Sequence, residues 1–332
     1  MRIVARHLAV LALGAMVVSC GGLTVQRTGY EDRIGWPPEN PRVRLVSVIE
    51  LGRETARRRP VLLSDSSSVD RAPRFQRPYA VTWLEDDLLV ADPGTGRVAR
   101  IGAGGKVFFS KPNLFTRPMG IASCPEGIFV TDAQTGIVSA LDENLDQVST
   151  LVEGLLRPTG VACWGDEVLV VETGRHRVLA FRSDGETRIL GGRGSQPGQF
   201  NYPTTIAVDG SSSADEVLVG DAMNFRVQAL GANDGAFLRQ FGRLGDAPGE
   251  MPRIKGVVIE GGSRVWVSDA HLDRISLYDL RGKLLLAVGG SGTEPGEFSF
   301  PAGMAVHPDG RVAVIDSYNR RIQILRVDDS KS

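Results

Sequence analysis

The sequence predicts an all-β fold, a six-bladed β-propeller of four-stranded antiparallel blades. Three observations carry this. One phrase returns six times from Phe75 onward, equivalent acids recur every 40 to 49 residues, and 40 glycines in 332 residues supply the many tight turns. The phrase is an aromatic residue or Leu, two residues, Pro, a short apolar strand, a turn, a second apolar strand ending in an acid, and usually Arg five residues later. Its copies begin at Arg77-Pro78, Arg117-Pro118, Arg157-Pro158, Tyr202-Pro203, Lys255-Gly256 and Phe300-Pro301, and their second strands end at Asp92, Asp132, Glu172, Asp221, Asp269 and Asp316. In blade 1 the pattern places strands near residues 79–84, 87–92, 97–101 and 106–110, each bounded by Gly, Pro or acidic turn residues.

After Pro301 the chain has room for three strands, near 303–307, 311–316 and 321–327, so the last blade lacks its outer strand. An open edge there would leave backbone groups unpaired. The β-branched stretch Arg42 to Leu51 is the spare strand, and we expect it to complete blade 6 and latch the ring. Residues 42–327 then form one domain: a closing strand at 42–51, a polar connection at 52–74 with Arg57-Arg58-Arg59 and Ser64 to Ser68, and repeats at 75–327. Residues 328–332 are a tail.

The first residues read as an address. Arg2 and Arg6 precede an uncharged run from Leu8 to Val18, too short for the ~20 apolar residues that span a bilayer. The string Val17-Val18-Ser19-Cys20-Gly21 resembles the bacterial lipobox, which implies that residues 1–19 are a signal peptide and that Cys20 is acylated. Residues 20–41, with Trp36-Pro37-Pro38-Glu39-Asn40-Pro41, then read as a stiff lipidated tether. The expected location is extracytoplasmic, at a bacterial membrane, with the outer membrane or periplasmic face favoured.

Lys plus Arg number 38 against 39 Asp plus Glu, a net charge of −1 that becomes −3 without residues 1–19. No whole-protein field attracts nucleic acid, so we expect no nucleic-acid partner and a monomeric propeller.

The repeats resemble the NHL-repeat family of six-bladed propellers over about residues 75–327. The best matching stretches are Asp316-Ser-Tyr-Asn319-Arg-Arg321-Ile-Gln323 and Asp221-Ala-Met-Asn224-Phe-Arg226-Val-Gln228, together with glycine-rich connections at Gly191 to Pro203, Gly242 to Pro252 and Gly289 to Pro301. Three departures stand out: Ile137 replaces the blade 2 arginine, Glu172 replaces Asp in blade 3, and Pro252 falls two residues early, before Ile254.

The strand-end acids and their arginines, Arg97, Arg177, Arg226, Arg274 and Arg321, have a structural reading first. A carboxylate there accepts backbone N–H groups of the following turn, and the arginine pairs with it or with the neighbouring blade. Cys124 and Cys163, at the ends of adjacent inner strands, are either a disulfide or two buried thiols. Some propellers like those of this family are zinc lyases with three channel histidines. Here His176 and His271 follow second strands while His307 follows an inner strand, so the three fall at opposite ends of the channel and do not share an ion. The expected cofactor is none, although a carboxylate-bound Ca²⁺ in the channel is compatible with the sequence.

Binding has the better footing. Residues before the blade prolines and in the turns leaving the second strands share one rim. That rim carries Arg77, Arg117 and Arg157 on blades 1 to 3, Tyr202, Met223 and Phe225 on blade 4, and Phe300 and Tyr318 on blade 6. Such side chains anchor interfaces, though the arginines also serve as carbonyl caps and the aromatics as packing between blades. The expected function is a noncatalytic binding or assembly module for an exported protein or cell-wall component. The alternative is a divalent-metal-dependent lactonase or lyase using the channel.

Overall fold

A computed structural model describes residues 16–20, 23–30, 33–51, 74–208 and 215–328. The body of the expected signal peptide, the polar connection and the end of the tail lie outside the described residues. Before the repeats come four strands: β1 (Met16–Cys20), β2 (Leu23–Gly29), β3 (Gly35–Trp36) and β4 (Val43–Leu51). Five blades of four antiparallel strands follow, each with its sequence-first strand innermost, and a final blade built from Pro301–Val306, Arg311–Asp316, Arg321–Val327 and β4. The ring is therefore six-bladed and closed by its N-terminal part. In blade 1 the strands are Ala80–Leu84, Asp87–Asp92, Arg97–Ile101 and Val107–Phe109, within a residue of the sequence expectation.

Closure is a packing event as well as a pairing event. β4 pairs antiparallel with Arg321–Val327, from Arg321 opposite Glu50 to Val327 opposite Val43. Val43, Leu45 and Val48 enter the layer shared with blade 5, while Ile49 and Leu51 enter the layer shared with blade 1. Burial of both faces is why this stretch reads as a nearly continuous β-branched run. Each such side chain contributes about 1.5–3 kcal/mol on burial.

The leader differs from the expected tether. β2 pairs with β4 from Val25 opposite Leu51 to Gly29 opposite Ser47, β1 pairs with β2, and β3 adds Trp36 opposite Val43. Ile34 and Trp36 also pack against the layer between blades 5 and 6. β2 thereby extends blade 6 beyond the four strands of the other blades, whose outer edges stay open among the described residues. Leu-Thr-Val-Gln-Arg-Thr carries the alternation that a strand needs.

The core consists of six apolar layers, each filled by two adjacent blades. Hydroxyls stitch these layers near the channel: Thr131 Oγ1 donates to the Thr159 carbonyl at 2.5 Å, Thr173 Oγ1 to Pro203 at 2.7 Å and Ser268 Oγ to Ala302 at 2.6 Å. Close approach explains two glycines. A Cβ at Gly120 would stand 2.0 Å from the Thr159 carbonyl oxygen, and one at Gly303 would stand 2.7 Å from that of Tyr79.

Inner strands start at the blade prolines and second strands return to the same side. We call that side the proline face and the opposite one the hairpin face.

Candidate binding face

The strand-end acids are occupied by backbone. Asp92 accepts from the N–H groups of Gln76, Arg77 and Gly94, and Asp132 from Thr116, Arg117 and Gln134. Asp269 accepts from Arg253, His271 and Leu272, and Asp316 accepts from Ser299. Glu172 reaches Leu156 N–H at 2.8 Å with its longer side chain and also takes Arg175 and Arg177. Burial pushes the Asp316 carboxyl above its ordinary value, against the Ser299 N–H, Asn319 and the Arg321 charge.

The arginines clamp the connections. Arg321 Nε meets Asp316 at 2.6 Å and its guanidinium also donates to the carbonyls of Thr293, Glu294 and Glu297. Arg226 does the same between Asp221 and the carbonyls of Gln196 and Gln199. Arg274 donates to Asp246 and Ala247 rather than to Asp269, and Arg97 stands opposite Asp92 in register. These clamps belong to the long glycine-rich connections. The connection that enters blade 2, residues 110–117, is short, so a guanidinium at the position of Ile137 has no long loop to hold.

What remains on the proline face is a ring of six positions at the entries to the inner strands, five of them directly before a proline. Arg77, Arg117, Arg157 and Tyr202 are exposed there as expected, while Phe300 is half-buried. Met223 and Tyr318 are exposed in the adjoining turns, at 51% and 57%, and Phe225 is half-buried. The blade 5 position belongs to Arg253, also exposed, which sequence reasoning missed because Pro252 falls early. Alignment on Gly256 and Asp269 would have found it. The next position inward holds Lys255, at the channel mouth.

These side chains form one cationic and aromatic cluster. Phe300 and Tyr318 stack with centroids 4.7 Å apart and planes 13° from parallel. The Arg253 guanidinium lies 5.4 Å from the Phe300 centroid, and Lys255 Nζ lies 5.8 Å from it and 6.0 Å from that of Tyr79. Opposite, Tyr202 packs on His176 at 4.3 Å and donates its N–H to His176 Nδ1 at 3.1 Å. Arg157, Tyr202 and Phe300 all hold left-handed backbone, with φ of 56°, 49° and 55°. Non-glycine residues in that region carry strain that the surroundings must hold, a recurrent property of sites that present side chains.

The central channel, about 1110 Å³, is bordered by the free edges of the six inner strands. Tyr79, Met119 and Lys255 line its proline end, and Trp164, Asp215, Glu260, His307 and Asp309 line its hairpin end. His307 Nδ1 lies 2.9 Å from Asp309, and Arg311 joins Asp309 and Asp86, each at 2.7 Å. Burial disfavours the Asp309 carboxylate, but hydrogen bonds from the Arg311 N–H, His307 and the Arg311 side chain outweigh it and bring the carboxyl down to about 2. His176 lies beneath Tyr202, far from His307, and the described residues hold no group of three or more His, Cys, Asp or Glu arranged for a metal ion. Cys124 and Cys163 form a disulfide with Cα atoms 5.8 Å apart, so the structure selects the bridge over two free thiols. No helix among the described residues is long and apolar enough to cross a membrane.

Fold and face together define a six-bladed β-propeller of four-stranded blades. Within it, residues 298–325 match the family model described as NHL repeat, so the final blade carries that repeat. The chloroplastic protein SUPPRESSOR OF QUENCHING 1 of Arabidopsis thaliana is 20% identical over 76% of this chain and 30% of its own length. The E3 ubiquitin-protein ligase TRIM32 of Mus musculus is 25% identical over 42% of this chain and 21% of its own. The chain thus spans less than a third of these curated relatives. Among solved structures, a gluconolactonase from Xanthomonas campestris superposes with a TM-score of 0.61 at 14% identity, covering 76% of this chain and 87% of its own. An auxiliary nutrient binding protein from Bacteroides thetaiotaomicron gives 0.61 at 12%, covering 76% and 69%. Virginiamycin B lyase from Staphylococcus aureus gives 0.55 at 12%, covering 76% and 95%. At these identities the likeness is one of fold.

Proposed function

We propose that the protein is a membrane-anchored, extracytoplasmic, noncatalytic propeller that binds a protein or cell-envelope component through its proline face. The observation that carries this reading is the division of labour on that face. Its six strand-end acids are buried and turned to backbone N–H groups of the turns and connections, which leaves the arginines, Lys255 and aromatic rings presented around the channel mouth. The disulfide supports a location outside the reducing cytoplasm. Acylation at Cys20 supplies the anchor, and processing there removes Met16 to Ser19 of β1 and leaves β2 as the outermost strand.

A lactonase or lyase is the second reading, favoured by the channel volume and by Asp215, Glu260, His307 and Asp309 at its hairpin end. Metal analysis of protein purified from membranes separates the two. The binding reading expects no stoichiometric divalent ion. It also expects capture of envelope material that is lost when Arg77, Arg117 and Arg157 are replaced together at unchanged melting temperature. A bound ion with lactone-opening or eliminating activity establishes the rival.

A further inference from the structure

The face that carries the cations is also the face from which the anchor leaves. Arg321 begins its strand at the proline face and stands opposite Glu50. Leu51, one residue further toward that face, stands opposite Val25, and β2 runs two residues beyond Val25 to Leu23, which pairs with Cys20. Leu23 therefore lies three strand positions past the level of Arg321, roughly 10 Å toward the proline side at ~3.3 Å per residue. Only Gly21 and Gly22 separate Cys20 from Leu23, a reach of roughly 10 Å when fully extended.

Resting on acylation of Cys20, and deepening the binding reading above, we propose that the proline face docks on an anionic lipid headgroup surface. A leash this short at the perimeter of blade 6 brings this face to the bilayer and turns the hairpin face away. Charge complementarity points to the same occupant. Arg77, Arg117, Arg157, Arg253 and Arg320 are exposed on it and Lys255 is half-buried at its centre, in a protein whose net charge is −1. In the turns that follow the second strands the one acid, Asp273, is engaged by the Phe300 N–H and the Ser291 hydroxyl, and the exposed acids Glu153, Asp246 and Glu294 sit in the connections between blades. A polybasic patch adds to acyl anchoring on anionic membranes, and exposed Tyr202 and Tyr318 are the ring type that settles at headgroup level.

The test uses the full chain, acylated in cells, with single cysteines introduced at Gln134 on the proline face or Ser183 on the hairpin face. Both positions are exposed. With Cys20 acylated and Cys124 bridged to Cys163, the introduced thiol alone takes a fluorophore. The protein is placed in vesicles carrying a headgroup nitroxide quencher, either zwitterionic or with roughly one-third phosphatidylglycerol. We expect the Gln134→Cys label to be quenched about threefold more than the Ser183→Cys label in anionic vesicles, and this difference to collapse at about 0.5 M salt or in zwitterionic vesicles. It should collapse as well when Arg77, Arg117, Arg157, Arg253 and Lys255 are replaced by Gln. The salt and lipid arms leave the face unaltered, so they decide the matter even if that variant does not fold. Equal quenching of the two labels, stronger quenching at Ser183→Cys, or indifference to lipid charge overturns the docking and leaves the anchor standing. Such a result would favour a protein on this face. An unmodified Cys20 peptide in the mass spectrum overturns anchor and docking together.

Discussion

Arg321 Nε lies 2.6 Å from Asp316 Oδ2 with both side chains almost fully buried, and the same guanidinium ties the glycine-rich connection from blade 5 to the last blade. The pair is a structural rivet of the ring. Removing one partner strands the other charge in the interior, which costs about 3–5 kcal/mol. Arg321→Ala should lower stability in urea by that amount, and Arg226→Ala, with the same geometry at Asp221, should resemble it. Arg177→Ala, which leaves buried Glu172 still paired with Arg175 at 2.6 Å, should cost only about 1 kcal/mol. Equal losses at all three positions would remove the clamp as the reason for these arginines.

Ring closure gives a second prediction. Ile49 is fully buried between blades 6 and 1, and its truncation to Ala should cost about 2–5 kcal/mol through lost transfer energy and the cavity left behind. Glu50→Ala, one residue along and only half-buried, should cost little. Chemical denaturation of the two variants checks the contrast.

The disulfide closes a loop with a sequence separation of 39 residues between blades 2 and 3. Chain entropy assigns such a loop about 4 kcal/mol. Unreduced protein should show no maleimide-reactive thiol at Cys124 or Cys163. The double Ser variant should melt lower, and a native melting curve for it would show the bridge to be dispensable.

The Asp309 carboxyl titrates in the fold at about 2, below its unfolded value of roughly 3.9. A depressed carboxylate contributes stability that is fully present above the unfolded value and is lost as pH falls through the folded one. Stability should therefore decline between about pH 5 and 2, and Asp309→Asn should flatten part of that decline. The side chain is 41% exposed, so salt should weaken the effect. Urea titrations at a series of pH values measure it.

Much of this was legible in the chain. The six repeats, their strand-end acids and the closing strand followed from period, turn chemistry and counting, because a strand buried on both faces has an unmistakable composition. β2 was missed because Leu23 to Gly29 is short and polar on one face, and its role emerges only from the edge that β4 presents. Arg253 was missed, and Lys255, which opens the blade 5 copy, was left off the rim, because the proline used as the landmark is displaced in blade 5. Whether the two cysteines meet depends on how closely neighbouring inner strands converge on the channel, a distance that spacing along the chain does not encode.

The claim that the proline face is the working surface is tested most directly by hydroxyl-radical footprinting of the protein in its native membranes against the purified form. Oxidation is read at exposed Met223, Tyr202 and Tyr318, with Phe108 on the outer strand of blade 1 as the control. The account predicts severalfold protection at the first three and none at Phe108. Unchanged oxidation at Met223, Tyr202 and Tyr318, or protection confined to the hairpin face at Trp164, would contradict it.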